Sequence, residues 1–134
     1  MNTFSLKYFG VFFILISFFS FFNIIYCYYF DILDNLNHFI ITFSLNIFLG
    51  SILIIFKNLK IEKINLYNRI LTVFFGYFIL PLSISIPYYL SIENIEFINC
   101  YFESISGFTS TGFSTFKNYE SLDQTLILWR SSSQ

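Results

Sequence analysis

Charge is what this sequence has least of. Charged residues make up 11% of its 134 residues, against a hydrophobic share of 56% and a mean hydropathy of +0.69. A soluble domain carries roughly 25% charged residues, so a water-soluble fold is excluded and lipid is the expected surroundings. The net charge of −1 leaves no basic footprint for nucleic acid. Histidine occurs once, as His38 beside an apolar run, where an interfacial residue is the expected role rather than a ligand. The two cysteines, Cys27 and Cys100, have neither metal nor redox spacing and make no disulfide framework. No nucleophile–base pair, metal cluster or phosphate loop is present in the pattern, so neither an enzyme nor a cofactor is expected. What abounds is Phe (21) and Tyr (10). The rings are spread through every apolar run, which points to A/T-rich coding rather than to an aromatic binding surface.

The charge-poor runs set the architecture: an all-α membrane protein. Residues 8–30 contain no charged side chain. That is enough to cross a hydrocarbon core, which takes about 20 residues. It is too long for a signal-peptide core, and Ile25-Tyr26-Cys27-Tyr28-Tyr29 offers no small-residue cleavage site. A polar turn with Asp31, Asp34, Asn35, Asn37 and His38 leads to a second run, 39–56. Its Thr42, Ser44, Asn46, Gly50 and Ser51 are the small and polar types that face other helices in a membrane. Residues 57–69 form a basic loop, with Lys57, Lys60, Lys63 and Arg69 against Glu62. A third charge-free run, 70–92, carries Pro81 and Pro87. In a membrane helix such prolines are tolerated when neighbouring groups satisfy the freed carbonyls.

After residue 92 the pattern changes. Residues 95–106 are short, amphipathic and too polar to span, as re-entrant or interfacial segments are. Gly107-Phe108-Thr109-Ser110-Thr111-Gly112-Phe113-Ser114-Thr115 follows, rich in hydroxyls and glycine. An apolar run at 125–129 then begins a further helix. Helix, short re-entrant helix, extended Thr/Gly strand, helix is the plan of one potassium-channel pore unit. A potassium filter replaces the ion's water shell with backbone carbonyls. Glycine adopts the dihedrals that this demands, and the C-terminal end of the short helix favours a cation. Taken alone, Thr-Ser-Thr-Gly is equally compatible with a solvated turn between spans.

The wider string Phe102-Glu103-Ser104-Ile105-Ser106-Gly107-Phe108-Thr109-Ser110-Thr111-Gly112 resembles the first pore loop of the Trk/Ktr potassium transporter superfamily, which typically reads F-E-S-x-S-G-x-T-T-T-G. Glu120-Ser121-Leu122, Leu128-Trp129-Arg130-Ser131 and Gln134 resemble that family's E-S-L stretch and the W-R-S-x-x-Q start of its next helix, and Pro87 matches a frequent Leu-Pro. The resemblance implies two N-terminal transmembrane helices in residues 1–65 and a first pore unit in 66–134. It implies that Thr109, Ser110, Thr111, Gly112 and Phe113 line a quarter of an ion filter, with potassium held by backbone carbonyls of Thr109, Ser110, Thr111 and Gly112. Ser110 in place of Thr should then matter little, whereas Gly112, often Ser in plant sodium-transporting relatives, favours potassium. Glu103 falls in the pore helix as a structural acid. Family members carry four such units, dimerise, and are gated by a cytosolic nucleotide-binding partner. One unit cannot enclose a pore, so this chain is expected to be part of a longer or interrupted transporter. The alternative is a non-transporting membrane anchor or assembly subunit.

Orientation follows from charge. Four of the seven basic residues lie at 57–69, and Lys7 precedes the first span, whereas the turns at 31–34 and 93–96 carry only acids. By the positive-inside rule the basic loop and N-terminus are cytoplasmic, in a bacterial inner membrane, and both acidic turns are outside. Cysteines introduced at Asn58 and Asn35 test this. An impermeant thiol reagent added outside is expected to reach Asn35 only; labelling at Asn58 with none at Asn35 would reverse the topology.

Overall fold

The computed structural model describes residues 6–55, 66–116 and 122–134. These form five helices: α1 (Leu6–Tyr29), α2 (Leu36–Ile55), α3 (Leu66–Ser91), α4 (Phe97–Phe108) and α5 (Gln124–Ser133). Three of them contain stretches long and apolar enough to cross a membrane, Tyr8–Tyr29, Leu36–Ile55 and Arg69–Ser91. The chain is a multi-pass, all-helical membrane protein. Helices are what apolar runs must form in lipid, where no water can satisfy an open backbone.

Cap chemistry sets where the helices stop. Asp31 takes φ 55° after α1, Asn94 takes φ 57° after α3 and Ser110 takes φ 54° after α4. Short polar side chains tolerate this left-handed conformation. At α1 the Ile32 amide reaches back to the Cys27 carbonyl, 3.0 Å away, closing a Schellman-type end. The basic segment 56–65 lies outside the described residues.

Polar bonds between helix ends show which ends lie together. Asn35 Nδ2 donates to Asp123 Oδ2 at 2.9 Å and to Thr125 Oγ1 at 3.0 Å. His38 Nδ1 pairs with Ser91 Oγ at 3.0 Å. The α1–α2 turn, the end of α3 and the start of α5 therefore share one end of the bundle, and with them both acidic turns. From there α4 runs back along α3. Phe97 meets Tyr89, the Tyr101 hydroxyl donates to the Phe78 carbonyl at 2.9 Å, and Phe108 packs on Tyr77. By Asp123 the chain has returned to the end it left. Asn35 is buried against α5 while Asp34 is exposed, so Asp34 is the better labelling position in this turn.

The packing is inside out. Ser17, Ser20, Asn23, Thr42, Asn46, Ser83 and Ser85 are buried, whereas Phe12, Phe18, Phe22, Phe48, Phe74 and Phe78 face outward. In lipid there is no hydrophobic force between helices, so small residues and hydrogen bonds hold them together. Ser20 Oγ donates to the Phe39 carbonyl at 2.8 Å, joining α1 to α2. Ser83 Oγ donates to Asn46 Oδ1 at 2.6 Å, joining α3 to α2. The helices α1 and α2 cross where Gly10 and Gly50 meet. A Cβ on Gly50 would stand 2.9 Å from the Gly10 carbonyl oxygen, and one on Gly10 would stand 3.0 Å from that of Gly50. Those neighbours are backbone and cannot swing aside.

This contact separates glycine from glycine. Gly50→Ala is expected to destabilise the α1–α2 pair by about 1–3 kcal/mol, the usual range for overpacking. Gly76→Ala should be neutral or slightly stabilising, because its Cβ would find only ordinary contacts at 3.8 and 3.9 Å. Thermal unfolding of the two variants in the same detergent checks the difference; equal midpoints would contradict the glycine contact.

Candidate functional site

The candidate site is built where α4 ends. Its amphipathicity is reversed from that of a soluble helix. Cys100, Glu103, Ser104, Ser106 and Gly107 are buried, while Phe97, Ile98 and Phe102 point outward. The helix continues through Gly107 and Phe108, two residues that the sequence pattern assigned to the extended stretch. It then closes with the Ser110 amide on the Gly107 carbonyl at 2.9 Å and the Thr111 amide on the Ser106 carbonyl at 3.0 Å. This is a Schellman end with Ser110 in the left-handed position usually held by glycine. A β-branched Thr would resist φ 54° more than Ser does. Gly107 lies close to α5: a Cβ there would stand 2.8 Å from Ser133 Oγ, so the hydroxyl would have to rotate away.

Side chains brace the loop from below. Thr109 Oγ1 donates to the Ile105 carbonyl at 2.8 Å, and the Thr111 hydroxyl lies 3.1 Å from that of Ser106. The Ser106 hydroxyl donates to the carbonyl of Phe113, which also accepts from Arg130 Nη2 at 3.2 Å. Protein donors thus engage the Phe113 carbonyl. Among the described residues no donor reaches the carbonyls of Thr109, Ser110, Thr111 or Gly112. The backbone of Gly112 has φ 79° and a Cβ there would meet nothing within 4 Å, so any substitution costs backbone strain rather than crowding. Residues 110–113 are exposed.

Glu103 ties these parts together. It is fully buried. One carboxylate oxygen pairs with the Arg130 guanidinium. The other accepts from Ser114 Oγ at 2.8 Å and from the Thr115 amide at 3.1 Å. A single acid thereby joins the middle of α4, the segment after Gly112, and α5. It is not a solvated acid of the outer face. The sequence pattern placed Arg130 in the W-R-S string but gave it no partner. The available signal was a lone arginine in the short apolar helix after a lone buried glutamate, because ionisable groups at membrane depth require partners.

An apolar cavity of about 540 Å³ opens beneath Phe108, between α1 and α3, with Phe9, Thr72, Gly76 and Tyr77 among its lining. Among the described residues its one charged lining side chain is Arg69, which makes it a poor place for a cation.

No family model matches this chain, and no solved structure matches it. Among curated proteins, an uncharacterized cation transporter of Methanocaldococcus jannaschii is 29% identical over 75 residues. That stretch is 56% of this chain and 16% of the relative. The match thus spans well under a quarter of the relative's length.

Removing the carboxylate tests the brace. Breaking a buried ion pair from one side typically costs 3–5 kcal/mol. Glu103→Gln is expected to lose about 3 kcal/mol, with faster amide exchange at Thr115 and little change within α1 and α2. Unchanged exchange at Thr115 would show that the carboxylate does not hold the loop.

Proposed function

We propose that this chain is the N-terminal part of a potassium-uptake protein of the Trk type, with residues 109–112 supplying one quarter of its ion filter. The observation that carries this reading is four consecutive carbonyls that no donor reaches among the described residues, held between a helix C-terminus and a buried Glu103–Arg130 pair. A filter needs its carbonyls left for the ion and its scaffold rigid enough to keep them in place. The C-terminal end of α4 adds partial negative charge, which favours a cation. The relative described as a cation transporter supports the transport class. The Thr-Ser-Thr-Gly string supports potassium.

In this reading α4 is the re-entrant pore helix, residues 109–113 are the filter loop and α5 begins the second helix of the unit. Residues 1–65 are the two preceding transmembrane helices, and Phe113 anchors the loop through its own carbonyl. Three further units complete the ring, so the carbonyls at 109–112 act only alongside theirs. The acidic end of the bundle faces outward and the N-terminus is cytoplasmic, in the plasma membrane. The complete transporter is a homodimer controlled by a cytosolic nucleotide-binding subunit, and it carries out no covalent chemistry.

Gly112 provides the decisive experiment. In the complete transporter Gly112→Ser should lower potassium selectivity over sodium, because a non-glycine residue at this φ costs about 1–3 kcal/mol and can escape only by turning a carbonyl away. Gly112→Val, β-branched as well, should abolish transport. Uptake measured separately in potassium and in sodium decides the matter. Wild-type affinity and selectivity in both variants would remove the filter assignment and leave the membrane-anchor alternative.

A further inference from the structure

Helix α3 carries two prolines, and each lies near a carbonyl that accepts from an aromatic side chain. Pro81 deprives the Tyr77 carbonyl of its helical donor, and its ring crowds the turn that contains the next carbonyl, that of Phe78. Pro87 does the same to Ser83 and the next carbonyl, that of Ile84. The Tyr101 hydroxyl of α4 donates to the Phe78 carbonyl at 2.9 Å. The Trp129 indole Nε1 of α5 donates to the Ile84 carbonyl at 3.0 Å. In both cases the acceptor stands three residues before a proline and the donor is the polar tip of an aromatic ring.

From this recurrence we infer that α3 is a two-rung rack: its prolines present carbonyl acceptors at which Tyr101 and Trp129 seat α4 and α5, and the seats set the depth of the 109–116 loop between them. The geometry favours depth-setting over general packing. An aromatic ring against an apolar helix can slide, whereas a hydrogen bond to one carbonyl selects one height. Two such bonds, six residues apart along α3, also fix the tilt of the unit. Trp129 is buried and packs edge-on against Phe39, which carries the same register to α2. Tyr101 lies one turn before Ile105, whose carbonyl receives Thr109, so a shift of Tyr101 moves the first residue of the loop. Tyr101 and Trp129 are positioning residues: they touch neither ion nor filter carbonyl. Their consequence for selectivity rests on the filter reading above, but the seating itself does not.

A double-mutant cycle on the purified chain in micelles tests the rack. The readout is amide exchange at Thr111 and Thr115, whose N–H groups hold the loop to the Ser106 carbonyl and to Glu103. Tyr101→Phe keeps the ring and deletes the donor. It should speed exchange about fivefold, as expected for one net hydrogen bond. In a Pro81→Ala background that crowding is relieved, and the same Tyr101→Phe change should alter exchange less than twofold. Trp129→Phe with Pro87→Ala should show the same coupling. Equal effects of Tyr101→Phe with and without Pro81 would overturn the rack. In the complete transporter the Tyr101→Phe variant should also lose potassium selectivity. Coupled exchange with unaltered selectivity would uphold the seating and overturn the filter reading instead.

Discussion

A carboxylate inside a membrane protein cannot remain alone. Moving an unpaired acid out of water costs several kcal/mol even after the surroundings relax. Glu103 is fully buried, so everything around it is arranged to keep it charged or hydrogen-bonded. Arg130 must come from α5, Ser114 and the Thr115 amide must come from the segment after Gly112, and α4 must hold the acid at the right depth. These requirements leave the intervening residues 109–113 little freedom. The loop is shaped by what its base must satisfy: the Phe113 carbonyl is held by Ser106 and Arg130, whereas among the described residues no donor reaches the carbonyls of residues 109–112.

The same logic organises the bundle. With apolar rings outside, the specific contacts lie between small and polar groups inside. Ser20 bonds a carbonyl of α2, Ser83 bonds Asn46, and Gly10 meets Gly50 backbone to backbone. None of these contacts gains much from apolar burial. Each fixes a register, because a hydroxyl or a missing Cβ fits one place along the partner helix. The outward phenylalanines contribute solubility in lipid and little specificity.

The spans were legible from the sequence because the absence of charge over 8–30, 39–56 and 70–92 leaves few alternatives to a helix in lipid. The mid-length of α4 was legible for a related reason: too short and too polar to span. Its end was not. Ser110 occupies a position at which glycine is the usual signal, so Gly107 and Phe108 looked extended while they continue the helix. Gly107 appeared only as part of the motif string, and its close neighbour, Ser133 of α5, left no trace in the local pattern. Pairings between distant elements leave no periodic trace. Glu103 with Arg130, Tyr101 with Phe78 and Trp129 with Ile84 could be anticipated only as groups that would require some partner.

The first two helices are not set apart from the rest of the chain, because hydrogen bonds join them to α3 and α5. Asn35, in the turn between α1 and α2, donates to both Asp123 and Thr125 at the start of α5. Asp123 also caps α5, accepting from the Thr125 amide at 2.8 Å. The helix that carries Arg130 thus begins on a residue held by the N-terminal hairpin. His38 and Asn46 hold α2 to Ser91 and Ser83 of α3, and Trp129 joins α5 to both. The chain of constraint runs from Asn35 through Asp123 and Arg130 to Glu103, and from there to the loop. The two leading helices are therefore part of the frame that aims the loop, and a change in their seating would reach it through α5.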